Sequence, residues 1–100
     1  MPLSPQRGGV GIFNNVINPN KGDKTLLTYN QTKAGMVTIN IFSLDGSLVK
    51  VLHRGSQGVG TYNFFWDGKN TGGRPVARGI YFIRVVGPGT DEIRKVMAIK

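Results

Sequence analysis

The sequence predicts an all-β protein, an antiparallel β-sandwich of about seven strands, and three observations carry that prediction. Fifteen glycines and five prolines in 100 residues punctuate the chain with turns. The apolar runs between them are rich in Val, Ile, Phe and Tyr, residues that suit a pleated, half-buried surface. No window places apolar residues at i, i+3, i+4 and i+7, so helical periodicity is missing. A chain of this length forms one domain and buries roughly 60 to 65% of the surface its unfolded state exposes, enough for a core without staples.

Residues 1–9, rich in Pro, Ser, Gln and Gly, read as a flexible leader with little to bury. Residues 10–100 read as the domain. Val10 to Ile17 is a first strand interrupted at Asn14-Asn15, and Asn18-Pro19-Asn20-Lys21-Gly22-Asp23 is a turn. Lys24 to Asn30 alternates Thr25, Leu27 and Tyr29 with Leu26 and Thr28. After a connection at Gln31 to Gly35, Met36 to Phe42 gives the clearest period of two, with Val37, Ile39 and Ile41 facing the core. Asp45-Gly46 marks a hairpin turn, and Leu48 to His53 returns with Val49 and Val51 on one side.

Arg54 to Gly60 reads as a loop. Thr61 to Trp66 then places Tyr62, Phe64 and Trp66 on one inward face. A polar, glycine-rich connection from Asp67 to Arg78 leads to a strand from Gly79 to Val86, in which Tyr81, Ile83 and Val85 oppose Ile80, Phe82 and Arg84. Gly87 to Asp91 turns the chain into a last strand, Glu92 to Lys100, with Ile93, Met97 and Ile99 as its core candidates. The expected structural core centres on Val37, Ile39, Ile41, Val49, Phe64, Trp66, Tyr81 and Ile83. Short strands at intervals of roughly 8 to 12 residues describe a sandwich of immunoglobulin or fibronectin type III kind. A barrel has the same alternation, but the length and a Trp and Tyr on separate strands suit the sandwich.

Composition narrows the chemistry. The chain has no cysteine, which excludes disulfides, thiolate metal sites and cysteine nucleophiles together. Thirteen Lys and Arg against five acidic residues give a net charge of +8. These cations spread along the whole chain, with only Arg94 and Lys95 adjacent, so they read as a solvated basic surface rather than a nucleic-acid face. The N-terminus lacks the apolar segment of a signal peptide, and no run approaches the roughly 18 apolar residues of a membrane span. The expectation is therefore a piece of a longer exported chain, without a membrane span of its own.

Each motif with chemical overtones has a simpler structural account. Asp67-Gly68-Lys69-Asn70-Thr71 superficially resembles a calcium loop, yet a calcium site gathers several oxygen ligands, usually more than one of them a carboxylate, and here Lys69 sits in the middle. Asp67 reads instead as an Asx turn. His53, the single histidine, reads as a surface residue at a strand end, with no nucleophile marked out beside it. The carboxylates Asp23, Asp45, Asp67, Asp91 and Glu92 fall mostly in turns. Glycines 68, 72, 73 and 79 lack the spacing and following helix of a phosphate loop. Tyr62, Phe64, Trp66, Tyr81 and Phe82 read as core packing rather than as platforms for nucleic acid. No cofactor, metal or catalytic residue is expected.

Trp66-Asp67-Gly68, followed by Gly73-Arg74-Pro75-Val76 and Gly79-Ile80-Tyr81-Phe82, resembles the immunoglobulin-like domain of the bacterial flagellar hook-capping protein family. Upstream, Val37 to Val49 looks like that family's strand, turn and strand ending in Gly-x-x-Val. Asn18-Pro19 resembles its entry turn, and Arg94 to Lys100 its basic last strand. The resemblance covers about residues 12–100. It also implies kinship with domains at the C-terminus of large secreted bacterial proteins, some of which are type 9 secretion sorting domains.

A hook-capping protein surrounds the domain with further sequence, whereas here a short leader precedes it and the chain stops at Lys100. The leading expectation is a non-catalytic C-terminal module of a larger exported protein at the cell surface, acting in sorting, docking or assembly with a protein partner. The alternatives are a flagellar hook-cap assembly domain or a module that binds acidic glycan. Contact residues are expected in the long loop, at Lys69, Asn70, Arg74 and Arg78, and on the last strand, at Arg94 and Lys95. That last strand is expected to be an edge open to a partner's strand.

Overall fold

A computed structural model describes residues 9–99. The expected leader, apart from Gly9, and the final Lys100 lie outside the described residues. Eight strands follow in order: β1 Val10–Phe13, β2 Val16–Ile17, β3 Thr25–Gln31, β4 Gly35–Ser43, β5 Leu48–Gln57, β6 Gly60–Trp66, β7 Gly79–Gly87 and β8 Thr90–Ala98, with one 3-10 turn at Pro19–Lys21. They form a three-stranded sheet, β1-β3-β6, and a five-stranded sheet, β2-β8-β7-β4-β5. Every pairing is antiparallel except that of β2 with β8.

The interruption expected at Asn14-Asn15 has a larger effect than a kink. Asn14 adopts a positive φ of 59°, and the chain leaves the smaller sheet after β1 to join the larger one as β2. Asn suits this turn because its short polar side chain tolerates the left-handed region. Here that side chain also donates to the Lys24 carbonyl at 2.8 Å. One segment thus stitches the two sheets together.

The core fills the space between the sheets. Val10, Ile17, Leu27, Tyr29, Val37, Ile39, Ile41, Trp66, Ile83, Val85, Val96 and Ala98 are almost inaccessible, and Tyr81 is 7% exposed. Each buried Val, Leu or Ile side chain contributes roughly 1.5 to 3 kcal/mol relative to exposure. Of the expected core, Val49 and Phe64 are only partly buried and pack against this cluster from the edge strands.

Four expectations change. β5 runs to Gln57, so the stretch read as a loop is mostly strand, and only Gly58 and Val59 connect β5 to β6. Within β5 the register slips twice: Ile39 pairs with His53 but Asn40 with Val51, and Ile41 pairs with Lys50 but Phe42 with Leu48. Leu52 and Val49 are the extra residues of these two bulges. Both pack on the core, while Val51, expected beside Val49, is exposed. A strict period of two cannot anticipate that change of face.

The last strand faces the other way. Ile93 (56% exposed), Met97 and Ile99 lie outside, and Val96 and Ala98 lie inside. Pairing with β7 sets this parity, since Tyr81 and Ile83 point inward and their partners are Val96 and Arg94. β8 carries apolar residues on both faces, so hydropathy alone did not select one. His53 also departs from its expected place: it sits within β5, half-buried, with its ring 5.1 Å from that of Phe64 across the two sheets.

Candidate functional site

The connection from β6 to β7 is the most elaborated segment outside the sheets. Trp66 ends β6 fully buried, its ring set edge-on to Tyr81 at a centroid distance of 5.6 Å. Its indole N–H donates to the Lys69 carbonyl at 2.9 Å, so the core anchor also holds the start of the loop. Asp67 accepts the Lys69 backbone N–H at 3.1 Å, the Asx turn expected of it. Gly68 follows at φ +75°, and a Cβ there would stand 2.7 Å from Pro19 Cγ. Only glycine fits both that backbone and that contact.

From there the loop folds back on itself as a short finger. Lys69 bridges to Pro75, and Val76 N–H donates to the Gly68 carbonyl at 2.8 Å. Asn70 organises the tip: its N–H reaches the Arg74 carbonyl, its carbonyl accepts Gly73 N–H, and its Oδ1 accepts Arg74 N–H at 3.0 Å. Thr71 then ties the finger to β5, with both its N–H and hydroxyl donating to the Val49 carbonyl at 3.2 Å. At the far end Tyr81 donates its hydroxyl to the Ala77 carbonyl at 2.6 Å, a return bond like the tyrosine corner of immunoglobulin-type sandwiches. Burial raises the Tyr81 phenol above its ordinary value.

Between the finger and the β4–β5 hairpin lies a cleft of about 480 Å³. Ser43, Leu48 and Val49 form one wall, Asn70 to Gly72 and Pro75 to Ala77 the other, with Tyr81 also lining it. Leu48 is exposed at 55% and gives the cleft an apolar lip. Of the six expected contact residues, Lys69, Asn70, Arg74 and Arg78 all belong to this one connection, and Arg74 and Arg78 are exposed.

Arg94 and Lys95 are not part of it. Arg94 lies on the inward side, where its guanidinium donates to Glu92 Oε1 at 2.9 Å and to the Val10 carbonyl at 3.0 Å. It joins β8 to β1 across the sheets. Lys95 points outward opposite Phe82. The expected open edge of β8 is covered at its end by β2, through Met97 N–H to Asn15 O and Ile99 N–H to Ile17 O, both 2.8 Å.

The remaining charged groups shape turns and surfaces. The Ser43 hydroxyl and Ser47 N–H hold the Asp45 carboxyl below its usual range. Arg84 grips Asp91 with two hydrogen bonds, 2.9 and 2.7 Å, which lowers the Asp91 pKa and raises that of Arg84. Among the described residues no three His, Asp or Glu side chains gather where a metal ion could sit. None of the described helical segments is long and apolar enough to cross a membrane. The wall contributed by Ser43, Leu48 and Val49 was missed in the sequence. Its tie to Thr71 spans 22 positions and leaves no local signal.

Fold and connection together define an immunoglobulin-like β-sandwich whose longest loop is a structured finger anchored in the core. More particularly, the chain belongs to the FlgD Ig-like domain family, which matches residues 14–91. It is 40% identical over 55 residues to the basal-body rod modification protein FlgD of Salmonella typhimurium, and equally to that of Salmonella typhi. The match takes 55% of this chain and 24% of either relative, so the chain spans about a quarter of the length of the curated relatives it matches.

Among solved structures, FlgD from P. aeruginosa superimposes with a TM-score of 0.59 at 22% identity, covering 94% of this chain and 75% of that one. PorZ, a bacterial surface component of the type-IX secretion system of Porphyromonas gingivalis, gives 0.58 at 21% identity, covering 92% of this chain and 12% of that one. These two likenesses show the shared fold.

Proposed function

We propose that this domain is a non-catalytic assembly module of the flagellar hook-cap type. The observation that carries the reading is the 40% identity to FlgD over 55 residues, within a family match spanning most of the chain. Of the readings left open by the sequence, this alternative has better support than a sorting module of an exported protein, because the likeness to PorZ is one of fold. The domain's part is to present a rigid surface to another protein. The finger supplies that surface, with the cleft as its apolar seat and Lys69, Arg74 and Arg78 as its basic rim. Asn70 holds the tip in shape, Lys95 adds charge on a separate face, and Arg94 contributes by bracing the sheets.

Deleting residues 14–91 from the full-length protein in its host tests this directly. The expected result is loss of hook assembly, seen by electron microscopy, with the parent still exported. Intact hooks together with failed export would overturn the assembly reading in favour of the sorting one. Replacing Arg74 and Arg78 with Glu in the same background is expected to impair assembly while the purified domain keeps its circular dichroism spectrum.

A further inference from the structure

A sandwich has lateral edges, and an open edge is a row of unpaired N–H and C=O groups that will template another strand unless it is blunted. Most of the edges here are blunted. β1 has only four residues, ends at the positive-φ Asn14 and gives its Val10 carbonyl to Arg94. β8 is capped by β2 and carries Arg94 and Lys95. β5 bends at two bulges, carries Lys50 and Arg54, and has its Val49 carbonyl taken by Thr71.

Among the described residues, β6 has none of these devices. Its seven residues, Gly-Thr-Tyr-Asn-Phe-Phe-Trp, include no charge and no proline. They pair with β3 in unbroken register from Trp66 opposite Thr25 to Gly60 opposite Gln31. On the outer face its Phe65 is 58% exposed and closes an apolar row with Leu26 and Phe13. An unguarded edge beside an apolar shelf is what strand addition uses, the backbone giving affinity and alternate side chains specificity.

Charge selects the occupant. Lys33 lies at the Gly60 end, held there through Gln31, whose side chain donates to the Lys33 carbonyl. Lys69 lies at the Trp66 end, held by the indole, and Lys24 adjoins Thr25 on the neighbouring strand. Two carboxylates near that end keep their charge while accepting backbone N–H groups, Asp67 from Lys69 and Asp23 from Asn18. The excess that favours an acidic occupant is therefore Lys33 at the other end together with the thirteen cations against five carboxylates of the whole chain. A second copy would bring another +8 against these lysines, and like charge disfavours it. We propose that β6 takes up an extended, acid-flanked segment of a protein partner as a fourth strand of the smaller sheet, with an apolar side chain seated on Phe65. This surface is separate from the finger and does not rest on the hook-cap reading.

The probe is a phage-displayed library of random dodecapeptides panned against the full chain. Recovered peptides are expected to alternate β-branched residues and to carry Asp or Glu at their ends. Once bound, they should slow amide hydrogen exchange in residues 60–66. N-methylation at alternate positions of a recovered peptide should weaken it about tenfold or more, because each lost backbone bond counts. Phe65→Ala should weaken it severalfold, and added salt should weaken it further. The proposal is overturned if the library yields no binders, if protection maps to the finger or to β5, or if N-methylation is without effect. Equal binding of lysine-flanked peptides overturns it too, as does a β6-paired dimer of the chain in analytical ultracentrifugation.

Discussion

The two ends of the sandwich solve the same problem differently. At the end holding Trp66, Tyr81 and the finger, the part-buried indole is paired with Lys69 and the phenol with Ala77, and Asn70 ties the exposed tip. At the opposite end, where Gln31, Gln57 and Gly87 meet, Gln31 Nε2 donates to the Lys33 and Gln57 carbonyls, but Tyr29 Oη, Gln31 Oε1 and Gln57 Oε1 are buried with no hydrogen-bond partner among the described residues. A buried polar atom without a bond carries a desolvation penalty of about 1 to 3 kcal/mol. One end thus pairs its side-chain polar groups, while the other leaves three buried oxygens unpaired among the described residues. The difference marks the finger as the end built for precise shape.

The largest test of that contrast is Trp66→Ala, expected to destabilise the domain by about 3 to 5 kcal/mol in urea unfolding, since it opens the core and releases the loop. Gly68→Ala should follow at about 2 to 4 kcal/mol, combining the left-handed backbone with the clash on Pro19. At the opposite end a Cβ on Gly87 would stand 2.5 Å from Tyr29 Oη but 3.4 Å from Cζ. Gly87→Ala is therefore expected to cost about 1 to 3 kcal/mol alone and much less with Tyr29→Phe, a coupling that a double-mutant cycle measures.

The two tyrosines sharpen the comparison further. Tyr81→Phe should destabilise by about 1 kcal/mol, whereas Tyr29→Phe, which removes a hydroxyl with no partner among the described residues, should be neutral or slightly stabilising. The pH dependence carries the smallest effects. The folded Tyr81 pKa is raised above 10.0, so its contribution is complete below the unfolded value and is lost as pH rises through the folded one. The Asp91 pKa is lowered below 3.8 by the Arg84 hydrogen bonds, so that contribution is present above the unfolded value and lost as pH falls through the folded one. Both groups of this pair are exposed to solvent, so Asp91→Asn should leave the thermal midpoint nearly unchanged at neutral pH.

Strands with one polar and one apolar face were legible residue by residue. Val37, Ile39 and Ile41 in β4 are inside as their alternation predicts, and so are Tyr81 and Ile83, the core candidates of β7, although the other face of that strand carries Ile80 and Phe82. The reading failed where alternation carries no information. In β8 both faces are apolar and the register to β7 decides. In β5 two bulges reset the parity, and bulges follow from pairing geometry rather than local composition. The finger was visible as a polar, glycine-rich connection, and Asp67 as its first turn. Its opposing wall was not, because the Thr71–Val49 tie joins segments remote in sequence. Arg94 read as a surface cation because nothing local signals that a residue four positions from the end of β8 will aim its guanidinium at another sheet.

The stitching segment at Asn14-Asn15 has a mechanical consequence. β2 and β8 are parallel neighbours, so opposed pulls on the chain before β2 and the chain after β8 act along the strands rather than across them. The Met97–Asn15 and Ile99–Ile17 bonds are then loaded together in shear instead of opening one after the other like a zip. Resistance to force is set by the barrier to unfolding rather than by equilibrium stability. In a domain wired this way, tension along the length has to overcome those bonds together.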